Sequence, residues 1–156
     1  MGLRGVEAVQ EAAAVCETWV SVQRVAFPQH GLLTNPGTAE RLEQALRNGV
    51  RAVGGLDPAV GDRDPVRHLD LIFSLAERYG AHLDIHLHDG CPLGAWELEL
   101  IAERTAVLGL GGQVMVSHAH VLGQIDEAYQ GRLAEVLAAR GWRWSRRPCT
   151  ASPCPR

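Results

Sequence analysis

The sequence predicts an α/β fold built on a parallel sheet, and three observations lead to that class. Short β-branched runs alternate with amphipathic helical segments along a chain of 156 residues. Three of the helical segments are closed by a glycine, and histidines gather at the ends of two predicted strands. Strand and helix alternating at this rhythm imply right-handed crossovers and parallel strands, either doubly wound or closed as a barrel.

Residues 5 to 18 place Val6, Val9, Ala13 and Cys16 at three- and four-residue intervals, which predicts a leading helix. Trp19 to Phe27 is rich in β-branched and aromatic residues and stops at Pro28, as a strand would. Glu40 to Arg47 is helical, with Gly49 as its C-cap. Val50 to Leu56 reads as a short buried strand. Asp64-Pro65 supplies an N-cap and a proline at the first helical position, opening a helix that runs to Tyr79 and ends at Gly80. Ala81 to Leu87 is the third strand. Leu93 to Leu108 carries a stripe of Leu93, Trp96, Leu100, Ile101 and Ala102, and Gly109 follows it. Gln113 to Ser117 is the fourth strand and Ile125 to Arg140 the last helix. A closed eightfold barrel needs roughly 250 residues, so four such units are about half of one.

At 46% hydrophobic and 21% charged residues, the chain belongs with ordered globular proteins. The formal net charge of -3 argues against a nucleic-acid partner, which needs a basic footprint to neutralise phosphates. A small-molecule partner is expected instead. No apolar run approaches the roughly 20 residues of a membrane span, and the N-terminus lacks the order of a signal peptide. These features predict a cytoplasmic protein with no membrane contact. Cys16, Cys91, Cys149 and Cys154 lack the Cys-x-x-Cys spacing of a structural zinc site and read as buried or incidental thiols. All 15 Lys and Arg positions are arginine.

Residues 142 to 156 hold two of the four tryptophans, two of the four cysteines and three of the eight prolines, with neither a helical nor a strand period. A disordered basic tail is one reading. A reading-frame slip after Arg140-Gly141 is the other, because one base earlier Trp142 to Cys149 become an apolar run suited to a further buried strand. The organisation expected is therefore a central barrel fragment over 1–141 and an aberrant tail over 142–156.

Of the seven histidines, His86, His88, His118 and His120 form two His-x-His pairs at the ends of predicted strands. Strand C-termini are where α/β sheets and barrels place their sites, and alternation puts both members of a pair on one face. Neutral imidazole suits zinc or iron, so a histidine at each of two neighbouring strand ends is plausible metal-site geometry, with Asp89 alongside.

Four segments then carry a family resemblance: Val25-Ala26-Phe27-Pro28-Gln29-His30-Gly31, Asp84-Ile85-His86-Leu87-His88-Asp89, Val116-Ser117-His118-Ala119-His120 and Ala128-Tyr129-Gln130-Gly131-Arg132-Leu133. Together they resemble the cytosine deaminase-like branch of the amidohydrolase superfamily, in order from about residue 6 to 141. The resemblance implies a partial TIM-like (β/α)8 barrel, strands three to six with a preceding helix, and one divalent metal ion, Fe or Zn. It implies that His86 is a metal ligand and that His118 contacts the metal-bound hydroxide. Gln29 would read the amide edge of a pyrimidine, its carboxamide offering one donor and one acceptor. Asp89 stands where the family carries a proton-shuttling glutamate. His88 and His120 differ from the family's residues and suggest another heterocyclic substrate or roles behind the primary ligands. No lysine exists at Gly54-Gly55-Leu56-Asp57-Pro58 to bridge two metals, which favours the one-metal subtype.

The expected function is thus that of a metal-dependent hydrolase acting on carbon–nitrogen bonds, deaminating a cytosine-like heterocycle. The strand-one His-x-His and strand-eight aspartate of the family are missing, so the chain alone is expected to bind metal weakly and not turn over. The alternatives are a cyclic amide hydrolase on the same scaffold and a non-catalytic remnant, including a half-barrel that pairs as a homo-oligomer.

Overall fold

The computed structural model describes residues 3–140. The tail from residue 142, with both readings attached to it, lies outside them. Six α-helices and four strands follow in chain order: α1 (Arg4–Val15), β1 (Val25–Ala26), α2 (Thr38–Arg47), β2 (Ala52–Leu56), α3 (Pro58–Asp62), α4 (Pro65–Tyr79), β3 (His82–Leu87), α5 (Leu93–Val107), β4 (Val114–His118) and α6 (Glu127–Ala139), with a 3₁₀ turn at His120–Gly123.

All four strands are parallel and lie in the order β1-β2-β3-β4. A doubly wound sheet reverses its order at a switch point, where its ligand binds. This sheet advances in one direction only. Along β3, Leu83, Ile85 and Leu87 are buried while His82, Asp84 and His86 are not, the period-two alternation of a strand with one covered face.

That face is covered by helices. Leu42, Ala45 and Leu46 of α2, Leu69, Ile72 and Phe73 of α4 and Ile101 of α5 close over Val53, Leu83 and Ile85. Each buried Leu, Ile or Phe contributes about 1.5–3 kcal/mol relative to exposure. A second cluster of Leu98 and Ala102 of α5 with Val121, Leu133 and Leu137 packs against Leu87, fixing the end of β3. No helix among the described residues is long and apolar enough to cross a membrane.

Helix ends follow local chemistry. Asp64 caps α4 by accepting the Arg67 N–H at 3.0 Å, Pro65 sits at its first turn, and Gly80 ends it in the left-handed region at φ 58°. Asp126 caps α6 by accepting the Tyr129 N–H at 2.8 Å.

Two expectations are corrected, and one helix is added to those the sequence predicts. The first strand is only Val25–Ala26, because Trp19, Val20 and Val22 are exposed and β-propensity without a packed neighbour does not make a strand. The short helix α3 follows Asp57, whose left-handed φ of 39° turns the chain directly from β2 into Pro58. In α5, Leu93 and Trp96 are exposed, and the covered stripe is Gly94, Ala95, Glu97, Leu98, Ile101, Ala102 and Thr105.

Candidate functional site

The two parallel strands β3 and β4 end side by side, and their ends deliver four imidazoles to one place. The His86 and His118 ring centroids lie 5.1 Å apart, His88 and His118 4.1 Å, His88 and His120 5.9 Å and His118 and His120 5.7 Å. Strict alternation would put His118 on the face of its register partner Leu87, away from His86. Left-handed backbone at His118 (φ 70°) and Ala119 (φ 42°) redirects the chain, and the Ala119 N–H bonds back to the Leu87 carbonyl at 3.0 Å. Such conformations cost about 1–3 kcal/mol each for residues other than glycine, and they cluster at functional sites.

Each imidazole has a different neighbour. Phe27, just past β1, meets the His86 ring edge-on at 4.9 Å between centroids. Gly54 makes room for it, since a Cβ there would run into the Phe27 ring. His86 Nε2 is 3.4 Å from Asp84 Oδ1. Asp57 accepts the His88 backbone N–H at 2.8 Å and faces its Nδ1 at 3.0 Å, while its own N–H donates to the His86 carbonyl at 3.0 Å. Desolvation, and then the charge that His88, His86 and His120 would carry, lower the His118 pKa below the ordinary histidine value.

Asp89 is placed differently from the imidazoles: it is buried, and Glu97 of α5 stands against it. Glu97 Oε1 accepts the Ala59 N–H at 3.1 Å. Glu97 Oε2 and Asp89 Oδ2 are buried without another hydrogen-bond partner among the described residues. One proton held between the two carboxyls would satisfy both. Burial and the adjacent Asp89 push Glu97 up to about 8, and burial raises Asp89 as well. Spacing within the chain did not reveal Glu97, although its position in the buried stripe of α5 carries the signal.

Gln29 is exposed in the loop after β1 and lines a cavity of about 200 Å³ with Leu3 and Val6 of the α1 segment, Phe27 and Thr38. None of the four clustered histidines lines that cavity. The structure thus brings His86, His88, His118 and His120 together, sets Asp89 against Glu97, and leaves Gln29 in a separate recess. The same loop is held by a buried carboxylate, Asp62, which pairs with His68 Nδ1 at 2.6 Å.

A catalytic metal is held by three protein donors and keeps a further position open. Among the described residues no three His, Cys, Asp or Glu side chains are grouped to hold one. The residues present do not by themselves fit a metal ion.

No family model matches the chain. Among curated proteins it is 34% identical over 116 residues to N-isopropylammelide isopropyl amidohydrolase of Pseudomonas sp. (strain ADP), covering 74% of this chain and 29% of that protein. The solved N-isopropylammelide isopropylaminohydrolase of Burkholderia multivorans ATCC 17616 superposes at a TM-score of 0.87 with 42% identity, over 90% of this chain and 36% of that one. Its homologues are members of the amidohydrolase superfamily. The 5-methylcytosine deaminase of Klebsiella pneumoniae, liganded with phosphonocytosine, matches at a TM-score of 0.79 and 31% identity, over 90% of this chain and 34% of that one. Against the uncharacterized protein YahJ of Escherichia coli (strain K12) the identity is 33% over 140 residues, 89% of this chain and 30% of that protein. The chain spans about a third of the length of these relatives, and the ammelide hydrolases and the methylcytosine deaminase among them carry the names of enzymes acting on carbon–nitrogen bonds.

Proposed function

We propose that this chain is the central part of a (β/α)8 barrel that hydrolyses a carbon–nitrogen bond on a cytosine-like or triazine-like ring, and that it is inactive alone. The observation that carries the reading is the convergence of His86 and His118 at adjacent parallel strand ends, 5.1 Å between ring centroids. The unidirectional strand order supports the barrel, since a barrel arc advances strand by strand around its axis. Identity is higher to the isopropylaminohydrolase than to the methylcytosine deaminase, which favours a substituted amine as leaving group.

In such chemistry a bound divalent metal, iron or zinc, would supply Lewis-acid activation of water. His86 is the residue of this chain that would help hold it, and two further donors would have to join it. His118 orients the attacking water. His88, fixed by Asp57, and His120 back these two rings. Asp89 carries protons between water and ring, and Glu97 behind it shares the proton of the pair. Gln29 pairs with the ring's amide edge once the rest of the barrel closes over the strand ends. The partner is a small heterocycle, and the setting is the cytoplasm.

The test is a chimera in which residues 3–140 replace the corresponding segment of the Burkholderia isopropylaminohydrolase. Release of isopropylamine from N-isopropylammelide, or of ammonia from cytosine or 5-methylcytosine, supports the reading. A folded, metal-loaded chimera that attacks none of the three contradicts it. A ring-opened acid in place of amine or ammonia assigns cyclic amide hydrolysis instead.

A further inference from the structure

The loop that presents Gln29 makes few backbone bonds of its own. The Gln29 N–H reaches the Phe27 carbonyl at 3.1 Å and the Gly31 N–H reaches Pro28 at 3.1 Å. What fixes the next three residues comes from outside the loop. The Asp62 carboxylate, at the end of α3, accepts the Leu32 N–H at 3.0 Å, the Leu33 N–H at 2.9 Å and the Thr34 N–H at 3.1 Å, together with the Thr34 hydroxyl at 3.0 Å. Three successive N–H groups curled around one anion form a nest, here filled by a side chain of the same protein. Gly31, at φ 92°, bends the chain into that nest, and a Cβ on it would come within 3.0 Å of Asp62 Oδ1.

The carboxylate is held in turn by His68 of α4. Its Nδ1 lies 2.6 Å from Asp62 Oδ2, and both side chains are fully buried. Burial keeps His68 neutral, so Nδ1–H donates and Nε2 is left bare against Gly55 of β2. An apolar plug would match such a buried pair in stability, yet it offers no acceptor to three consecutive N–H groups. Meanwhile Asp57, at the opposite end of α3, grips His88. One five-residue helix therefore ties the Gln29 loop to the histidine cluster.

We infer that Asp62 and His68 are positioning residues that set the conformation of the loop presenting Gln29. The functional meaning rests on the proposed role of Gln29; the anchor itself does not. The experiment is amide hydrogen exchange by NMR on the full chain and on the variants Asp62→Asn, His68→Leu and His68→Asn. Asparagine at 68 keeps an N–H donor close to the position of Nδ1, and leucine keeps bulk without a donor. Relative to Val53 and Ile85 in the sheet, the Leu32, Leu33 and Thr34 amides are expected to exchange about 10-fold faster or more in Asp62→Asn and His68→Leu, with His68→Asn close to the parent. Should Asp62→Asn not fold, the two His68 variants decide the matter. Equal acceleration of loop and sheet amides, or no acceleration in His68→Leu, overturns the anchor. Titrating cytosine and N-isopropylammelide into the chimeric barrel while watching the Gln29 side-chain amide separates the two ideas: loop order that depends on His68 without any response at Gln29 keeps the anchor and removes the ring-binding role.

Discussion

The Asp57 carboxylate holds His88 by two atoms at once, its backbone N–H at 2.8 Å and its Nδ1 at 3.0 Å, across 31 residues of chain. Neither bond is deeply buried, since the side chains are 22% and 43% exposed. Asp57→Ala is therefore expected to lower stability by about 1 kcal/mol, below the roughly 1.5–3 kcal/mol of hydrogen bonds to a charged group because solvent screens the pair. Urea denaturation measures the loss. NMR of the His88 ring should show it freed from one orientation, and an unchanged ring spectrum would mean that stacking on His118 alone places it.

Gly54→Ala should be costly for a different reason. A Cβ at 54 meets the Phe27 ring, a rigid neighbour that cannot fold aside, and Phe27 is what packs edge-on against His86. Overpacking of this kind costs about 1–3 kcal/mol. The expected signature is a lower urea midpoint together with shifted His86 ring protons. A stable variant with the His86 signals in place would show that Phe27 does not hold that ring.

Acid should weaken the fold through Asp62. Its pKa falls from 3.8 to about 2, because the bonds from Thr34, His68, Leu32 and Leu33 outweigh burial. The native state therefore takes up this proton later than the unfolded chain, and the stabilisation is present above pH 3.8 and lost as pH falls through about 2. His68 acts in the same direction at higher pH: burial lowers its pKa below 6.5, so stability declines once the unfolded chain begins to protonate there. Stability measured from pH 7 to pH 2 should fall less steeply below pH 4 in Asp62→Asn than in the parent.

Glu97 has the opposite sign. Its native pKa of about 8 lies above the 4.5 of an ordinary glutamate, so the native state keeps a proton that the unfolded chain releases. This contribution is complete below pH 4.5 and is lost as pH rises through about 8. Glu97→Gln, which stays neutral, should flatten the stability profile between those limits. An unaltered slope would place the shared proton elsewhere.

Much of this arrangement was legible from residue pattern. Asp64-Pro65 and Gly80 bracket α4 because caps act locally, and the His-x-His pairs mark strand ends because each follows a short run of alternating apolar residues, Leu83 and Ile85 in one and Val114 and Val116 in the other. What was missed depends on partners far along the chain. Trp19 to Arg24 have the composition of a strand but no neighbour to pair with. Asp62 looks like one more surface aspartate until the amides of residues 32–34 arrive, 28 to 30 positions away. His68 and Glu97 sit within the buried stripes of α4 and α5, so a polar residue on an apolar helical face was the available sign of a buried partner. The left-handed turn at His118 left no such trace.

The most direct test compares His86→Ala with His82→Ala in the barrel completed by the Burkholderia segments. His82 lies at the opposite end of the same strand, exposed and distant in register from β4's terminal His118. With His86 and His118 as one catalytic cluster, His86→Ala should lower kcat/KM by at least about 100-fold and His82→Ala by only a few-fold. Comparable activity in both variants would contradict the assignment.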